Sequence, residues 1–358
     1  MEPEGVAEAS PRWQNLARRL LTGGRVSTVA ALLLSFATVG AIVLALGANP
    51  ITTFRVIIES SFGDAFTFGQ TVNVAALLVL TGLAATIPFS AHLWNVGGEG
   101  QLFVGAVAAF GVTQIVGGLS AVLLVIAVLV GGMLAGALWG LVPGVLKSTA
   151  NANEVITSLM MSFVGVFVAS IAIKELWPTG FGAQTERIPD QAMLPSIWPA
   201  ADIDIGVLLA IAAALVAWAL LTRTRTGFYI RAAALNPEAA RANGIKVNRL
   251  PILTFAVGGA FAGLAGAIAV AGINDSLVQN FSQNYGFLGI AVALLARLNP
   301  LLVLPSAAFF GVLTVGSNGL AAETGLSSDV GQILGGVFVI MLVALHVIRL
   351  RYPESAST

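Results

Sequence analysis

Long apolar segments separated by short polar ones follow one another along most of the chain. Between residues 72 and 173 the only charged side chains are Glu99, Lys147 and Glu154. Many segments have about 20 residues, the length that crosses the hydrocarbon core of a bilayer as an α-helix. The pattern therefore predicts an all-α, polytopic membrane protein of about ten spans, with about eight as the lower bound. The predicted spans lie at residues 27–47, 72–91, 99–117, 120–146, 154–173, 205–221, 252–272, 285–298, 301–320 and 330–348.

Some of these segments allow more than one interpretation. A basic segment precedes residues 27–47, as in a signal peptide, and the small residues at 45–47 form an acceptable cleavage site. The length of the apolar segment favours an uncleaved first span. Residues 99–117 and 285–298 are each consistent with a full span or with a half-helix. The phenylalanine-rich residues 48–71 are expected to form an interfacial helix on the outer side.

The distribution of charge predicts the orientation. Residues 1–26, the loop 223–250 and the tail 349–358 are basic, whereas the loop 174–204 is acidic. Basic segments stay on the cytoplasmic side of a membrane. We therefore expect both termini and the 223–250 loop in the cytoplasm and the 174–204 loop outside. The transmembrane domain then occupies residues 27–348.

Composition excludes several classes of protein. Charged residues make up 9% of the 358 residues, against about 25% in soluble domains, and the mean hydropathy is +0.91. The net charge of zero gives no bias toward nucleic acid. Since cysteine is absent, the chain has no disulfide and no thiolate metal site, and we expect no cofactor bound to it. Glycines at helical i, i+4 spacing predict close helix packing; they are Gly132, Gly136, Gly140, Gly144, Gly259 and Gly263.

The 223–250 loop contains the signals of a short helix. Asn236 precedes a proline at the first helical position, and Glu238 places a carboxylate in the first turn. Gly244 is suited to end the helix after about two turns. Such a helix, held out of the membrane, could dock a cytoplasmic partner. The alternative is an ordinary basic loop with a surface helix.

A polar cluster interrupts the apolar pattern at residues 92–101. Asn95, Glu99 and Gln101 are accompanied by three glycines that break helical regularity. Irregular backbone at membrane depth is tolerated only where it is buried in protein or lines a water-filled path. Either Glu99 starts the next helix at the cytoplasmic interface, or a broken helix points at a polar substrate.

Two further polar sites flank predicted spans. Asn151 or Asn153 could cap the span that begins at Glu154. Asn274 and Asp275 lie on the predicted outer side. They form either a plain turn or a site where the substrate arrives. Aromatic rings could stack on a base or a sugar; they are Trp94, Phe103, Tyr285 and Phe287. The residues predicted for the substrate path are Trp94, Asn95, Glu99, Gln101, Asn153, Glu154, Asn274, Asp275 and Phe287.

Four segments resemble one family of transport proteins. Residues 238–240, E-A-A, with the following glycine, resemble the coupling loop of bacterial ABC importer permeases. Residues 93–101, 153–156 and 286–300 resemble signature blocks of the permeases for branched-chain amino acids, simple sugars and nucleosides. The resemblance covers most of residues 70–320, and the order and spacing of the blocks match.

The resemblance implies a permease subunit in the bacterial plasma membrane that moves a nucleoside or simple sugar inward. It also implies separate ATPase subunits, a second permease chain or another copy of this one, and an extracytoplasmic binding protein. The chain itself has no G-x-x-x-x-G-K-[ST] motif to hold ATP, so it is not expected to be an enzyme. The resemblance places ATPase coupling on Arg231, Asn236, Pro237, Glu238, Ala239, Ala240, Arg241 and Gly244.

Two other functions compete with this interpretation. An ion-coupled secondary transporter would use Glu99, Glu154 or Asp275 as its coupling carboxylate. An intramembrane enzyme would need catalytic residues, but no H-E-x-x-H or G-x-S-x-G is present, and His92 and His346 lie far apart in the chain. The basic loop, the E-A-A pattern and the scarcity of membrane carboxylates disfavour the secondary transporter.

Overall fold

The computed structural model describes residues 36–45, 47–116, 118–179 and 183–324, with 333, 335–337 and 340. Almost all regular structure there is helical. The helices are α1 Phe36–Ala45, α2 Pro50–Phe62, α3 Ala65–Phe89, α4 Gly98–Ile115, α5 Ala121–Ala150, α6 Glu154–Ile171, α7 Gly206–Arg223, α8 Arg225–Leu235, α9 Pro237–Ala242, α10 Leu250–Ile268, α11 Tyr285–Leu295 and α12 Pro300–Thr324. Two helices continue as π-helical turns, α6 through Ala172–Leu176 and α10 through Ala269–Asn274.

Short elements occupy the loops. Single 3₁₀ turns lie at Asp190–Ala192, Pro199–Ala201 and Val247–Arg249. The strands β1 Ser196–Trp198 and β2 Ile203–Asp204 form an antiparallel hairpin. By its contacts the chain divides into two units, of which Val56–Ser328 contains every helix from α3 to α12.

Helices α3 and α10 form the centre of this unit. Helix α10 packs against α3, α4 and α5, while α3 also contacts α7, α11 and α12. In the apolar stretch of α3, 83% of the residues are buried, and in that of α10 with its flanking turns 72% are buried. In the apolar stretch of α5 only 22% of the residues are buried. Helix α5 instead presents exposed apolar side chains every fourth residue, as expected for a helix facing lipid; they are Val122, Ile126, Val130, Leu134 and Leu138.

Six helices of the described residues are long and apolar enough to cross a membrane: α3, α5, α6, α7, α10 and α12. These correspond to six of the predicted spans. The α1–α2 pair would make seven if its bent halves count as one span. Residues 27–35 and most of 330–348 lie outside the described residues, so the count of ten stays a prediction. Helix α11 has 11 residues and is about 16 Å long, which makes 285–298 a half-helix.

Two predictions for the loops differ from the structure. Residues 48–71 do not form one interfacial helix, because α2 ends at Phe62 and α3 begins at Ala65. The reason is a capping box, in which Asp64 Oδ1 accepts from the backbone N of Thr67 at 2.8 Å and Thr67 Oγ1 accepts from the backbone N of Asp64 at 3.2 Å. In the 223–250 loop the sequence analysis missed α8, which Thr224 caps.

The two loops of opposite charge lie at opposite ends of α3. Near the start of α3, Asn73 Nδ2 donates to the carbonyl oxygen of Asp202 in the 174–204 loop at 2.8 Å. Just past the end of α3, His92 lines a cavity with Arg241 of the 223–250 loop. Asn73 lies 16 residues before Phe89, the last residue of α3, so the two contacts are about 24 Å apart along the helix. This separation agrees with placing the two loops on opposite sides of a membrane.

Candidate translocation and coupling sites

The chain between α3 and α4 is non-helical, and three polar side chains at this break are buried, Asn95 in the connection and Glu99 and Gln101 at the start of α4. Asn95 and Gln101 are each 1% exposed and Glu99 is 4% exposed. Asn95 Nδ2 donates to the carbonyl oxygen of Ala84 and to Gln101 Oε1, both at 3.2 Å, and Asn95 Oδ1 accepts from the backbone N of Gly97 at 3.0 Å. The structure therefore brings two predicted path residues, Asn95 and Gln101, together as a hydrogen-bonded pair that stabilises the helix break.

Two serines of α6 hold the same break from the other side. Ser158 Oγ accepts a hydrogen bond from the backbone N of Val96 at 3.1 Å, and Ser162 Oγ donates to the carbonyl oxygen of Val96 at 3.0 Å. They lie about one and two turns into α6, so the break lies well inside the bundle. The sequence analysis missed both serines, although small polar residues at i, i+4 spacing in an apolar span are a usable signal.

The Glu99 carboxylate joins the starts of two helices. It lies in the first turn of α4, where Oε1 accepts from Ser282 Oγ at 2.6 Å and Oε2 accepts from the backbone N of Gly286 at 2.7 Å. Gly286 belongs to the first turn of α11, and a Cβ there would collide with the Glu99 backbone. The carboxylate thus interacts favourably with the positive ends of both α4 and α11. Glu99 does begin a helix, but it is buried against a second one.

The other predicted path residues lie apart from this cluster. Asn153 caps α6, since its Oδ1 accepts from the backbone N of Val155 at 3.0 Å, and Glu154 forms an ion pair of 2.9 Å with Lys147. At the other end of the molecule Asp275, just after Asn274, forms an ion pair of 2.6 Å with Arg187. This hydrogen bond and the negative charge of Asp275 raise the pKa of Arg187. The choice between Asn151 and Asn153 as the cap is settled for Asn153, because Asn151 ends α5 in the left-handed conformation.

The predicted aromatic residues have different exposures. Trp94 is 49% exposed and packs on Phe89, with ring centroids 4.7 Å apart. Phe103 packs on Phe281 at 4.8 Å, and both Tyr285 and Phe103 are buried. Phe287 is half-buried. Among the described residues these rings do not form one stacked surface.

The 223–250 loop contains the predicted short helix. Helix α9 begins after Asn236, whose Oδ1 accepts from the backbone N of Glu238 at 3.1 Å and of Ala239 at 3.0 Å. Beyond its last residue Gly244 has φ +80°, the conformation that glycine adopts without strain. The predicted start, first-turn acid and stop are all confirmed. The exposed coupling residues are Arg231, Asn236, Pro237, Glu238, Ala239, Arg241 and Gly244.

The inner side of α9 faces the transmembrane helices across a cavity. Ala240 is 4% exposed and anchors the helix. The cavity beside it has a volume of about 480 Å³, and its basic lining residues are His92, Lys147 and Arg241. Ser148 Oγ at the end of α5 donates to the carbonyl oxygen of Asn248, which ties the loop to the bundle. The loop thus contacts the end of α5 and shares the cavity with residues just past α3, while its outer face stays open.

The long apolar helices and the exposed loop helix define a multi-pass membrane protein of the permease class. The chain belongs to the family of the branched-chain amino acid transport system permease component, whose family model matches residues 67–357. It is 32% identical to the glucose ABC transporter permease protein TsgB13 of Haloferax volcanii, over 88% of this chain and 86% of that protein. It is 30% identical to the guanosine ABC transporter permease protein NupP of Bacillus subtilis, over 89% and 93%. With the nucleoside ABC transporter permease protein NupB of Lactococcus lactis, it shares 29% identity over 88% and 90%.

The Glu99 contacts predict the effect of two substitutions. Glu99→Ala leaves the Gly286 N–H and the Ser282 hydroxyl without their acceptor, and each buried unpaired group costs about 1–3 kcal/mol. We expect a fall of several degrees in the melting temperature of the purified protein. Glu99→Gln keeps the side-chain volume and one acceptor oxygen, so the protein should assemble but transport more slowly.

Glu154→Gln is the matched control, because it makes the same change of side chain at a carboxylate that is only partly buried and is not bonded to α11. Thermal unfolding followed by size-exclusion chromatography measures stability, and uptake in proteoliposomes measures transport. Equal stability of Glu99→Ala and the control would show that the bond to α11 has no structural role. Normal uptake by Glu99→Gln would place the substrate path elsewhere.

Proposed function

We propose that this chain is the membrane subunit of an importer driven by ATP hydrolysis on separate ATPase subunits. The observation that carries the proposal is α9, a short capped helix exposed at the basic end of the molecule. A rigid exposed helix of this size can insert into a groove on a partner. Arg231 and Arg241 would then pair with acidic residues around that groove.

The connection of α9 to the bundle supports transmission of a movement. A displacement of α9 would act through Ala240 and through the Ser148–Asn248 hydrogen bond on the ends of α5 and α10. Helix α10 packs on α3, α4 and α5, and α4 holds the start of α11 through Glu99. ATPase closure would therefore reach the starts of α4 and α11 inside the bundle. Alternating access by rocking of helices needs such a contiguous contact route.

The proposed solute is neutral and polar, a nucleoside or a simple sugar. Relatives described as glucose, guanosine and nucleoside permeases support this class. Few charged groups lie inside the described bundle, and the Glu99 carboxylate is occupied by its hydrogen bonds to Ser282 and Gly286. A charged solute would find no counter-charge there. We propose inward transport in a bacterial plasma membrane, with an extracytoplasmic binding protein delivering the solute.

An ion-coupled transporter has less support. Such a transporter needs a carboxylate that takes up and releases an ion during the cycle. Glu99 is bonded to Ser282 and Gly286, and Glu154 and Asp275 are each in an ion pair. All three candidate carboxylates thus have structural partners.

The exposed apolar faces of α5 and α6 fit lipid or a second permease chain, either homologous or identical.

Single cysteines test the proposal directly, because the chain has no cysteine of its own. We expect Asp190→Cys, in the 174–204 loop, to react with a membrane-impermeant maleimide added outside intact cells. Ala239→Cys, on α9, should react only after the membrane is opened and should cross-link to an ATPase subunit. Reaction of Asp190→Cys from the cytoplasm alone would overturn the orientation. A failure of Ala239→Cys to cross-link, beside a successful control at Arg231→Cys, would move the docking surface to α8.

A further inference from the structure

A second cavity lies at the end of the molecule that carries the acidic loop. Its volume is about 360 Å³, within the range of small-molecule sites. It opens between α2, α3 and α12, and its lining residues are Glu59, Ser60, Thr67, Gln70, Val315, Asn318 and Gly319. The first turns of α3 form one wall, and the same turns contact the 174–204 loop, since a Cβ on Gly69 would collide with the carbonyl of Ala201. The cavity therefore faces the side from which an imported solute arrives.

The walls of this cavity are fixed by buried hydrogen bonds. Ser61, which is fully buried, donates from Oγ to the carbonyl oxygen of Val312 on α12 at 3.1 Å. Thr71 of α3 donates from Oγ1 to the carbonyl oxygen of Ser61 at 3.0 Å. At Gly319 helix α12 approaches Ser60 so closely that a Cβ would collide with it. Three helices thus meet in a preformed frame, which lowers the ordering cost of binding.

The polar groups that line the cavity differ in whether they already form hydrogen bonds within the protein. The Thr67 hydroxyl belongs to the capping box with Asp64. The side chains of Ser60, Gln70 and Asn318 have no hydrogen-bond partner among the residues that the structure describes. Each amide offers an acceptor oxygen and two donor hydrogens, and the serine offers one donor and an acceptor. Glu59 brings a carboxylate to the rim, which disfavours an anionic ligand.

We propose that this cavity receives a neutral polyhydroxylated solute, with Gln70 and Asn318 bonding adjacent hydroxyl groups of its sugar ring. The inference rests on the proposed function and assigns it a receiving site on the outer side. Amides match a vicinal diol because both partners donate and accept.

Cysteine protection tests this site on the permease–ATPase complex in nanodiscs, without binding protein. Ser60→Cys supplies the single reactive thiol, and guanosine and glucose are the probes. We expect at least one probe to slow the reaction with a water-soluble maleimide in a saturable manner. Adding Gln70→Ala or Asn318→Ala should raise the concentration for half-protection by about fivefold each, since one such bond contributes about 1 kcal/mol. Gln191→Ala, an exposed amide of the outer loop, is the control and should change nothing.

Protection by neither probe, or equal protection in all variants, would overturn the site. Protection that appears only when solute-free binding protein is added would also overturn it, because the cavity would then contact that protein instead. ATP hydrolysis stimulated by solute-loaded binding protein is measured on the same variants. If hydrolysis is stimulated while protection is absent, only the receiving site fails. If no ATPase associates with the chain, the proposed function itself fails.

Discussion

Gly263→Val is expected to remove most of the folded protein from the membrane. Helices α4, α5 and α10 meet at glycines, and a Cβ on Gly263 would collide with the Gly132 carbonyl and lie 3.0 Å from the Gly136 Cα. A Cβ on Gly105 of α4 would collide with Gly263 in turn. These obstacles are backbone atoms, which cannot rotate away as side chains do. Overpacking costs about 1–3 kcal/mol or more, and here three helices would have to separate.

Yield after detergent extraction and the melting temperature in size-exclusion chromatography measure this effect. Leu138→Val is the matched control on α5, because Leu138 is 63% exposed and lies between Gly136 and Gly140. The control should keep wild-type yield and stability. A wild-type melting temperature for Gly263→Val would contradict the close three-helix contact.

Gly244→Val is expected to uncouple ATP hydrolysis from the solute while leaving the complex assembled. Gly244 has φ +80°, and no atom lies within 4 Å of the position of an added Cβ. The substitution therefore acts through backbone conformation alone, at a cost of about 1–3 kcal/mol for a residue that rarely adopts it. The strain would disturb the end of α9, where the backbone N of Ile245 donates to the carbonyl oxygen of Ala240 at 3.0 Å. Stimulated hydrolysis should fall by about tenfold or more.

Gly244→Asn is the matched control, since asparagine tolerates the left-handed conformation. It should retain most of the coupling. Glu238→Lys tests the same helix at its other end, where a cation opposes the helix dipole and the docking contact. Co-elution of the ATPase and its stimulated turnover are measured for all three variants. Full coupling in Gly244→Val and Glu238→Lys would show that the loop is only a basic tether.

Local signals made α9 predictable from the sequence. Asn236, Pro237 and Gly244 act on their immediate neighbours, so their spacing alone defines where the helix begins and ends. The same holds for Asn153 at the start of α6. The long apolar spans are predictable because their length is set by the bilayer. Local patterning also offered Glu99 as the first acid of a helix, as one of two alternatives.

The partners of Glu99 could not be predicted in the same way. Ser282 is 183 positions away in the chain, and nothing in its own sequence surroundings indicates that it meets α4. The serines of α6 that hold Val96 also act across distant segments. The break at Asp64 was missed for another reason. The phenylalanines of 48–71 suggested one interfacial helix, and the capping residues Asp64 and Thr67 were not considered. Helix α8 was missed because basic residues favoured a loop.

ATP-dependent uptake in proteoliposomes is the most direct measurement of the central claim. The chain is reconstituted with its ATPase and binding protein, ATP is supplied on the side of α9, and labelled guanosine and glucose are offered on the other side. We expect uptake of at least one solute that requires ATP and persists when ionophores collapse the proton and sodium gradients. Uptake driven by an ion gradient in vesicles without ATPase and ATP would contradict the account and favour an ion-coupled transporter.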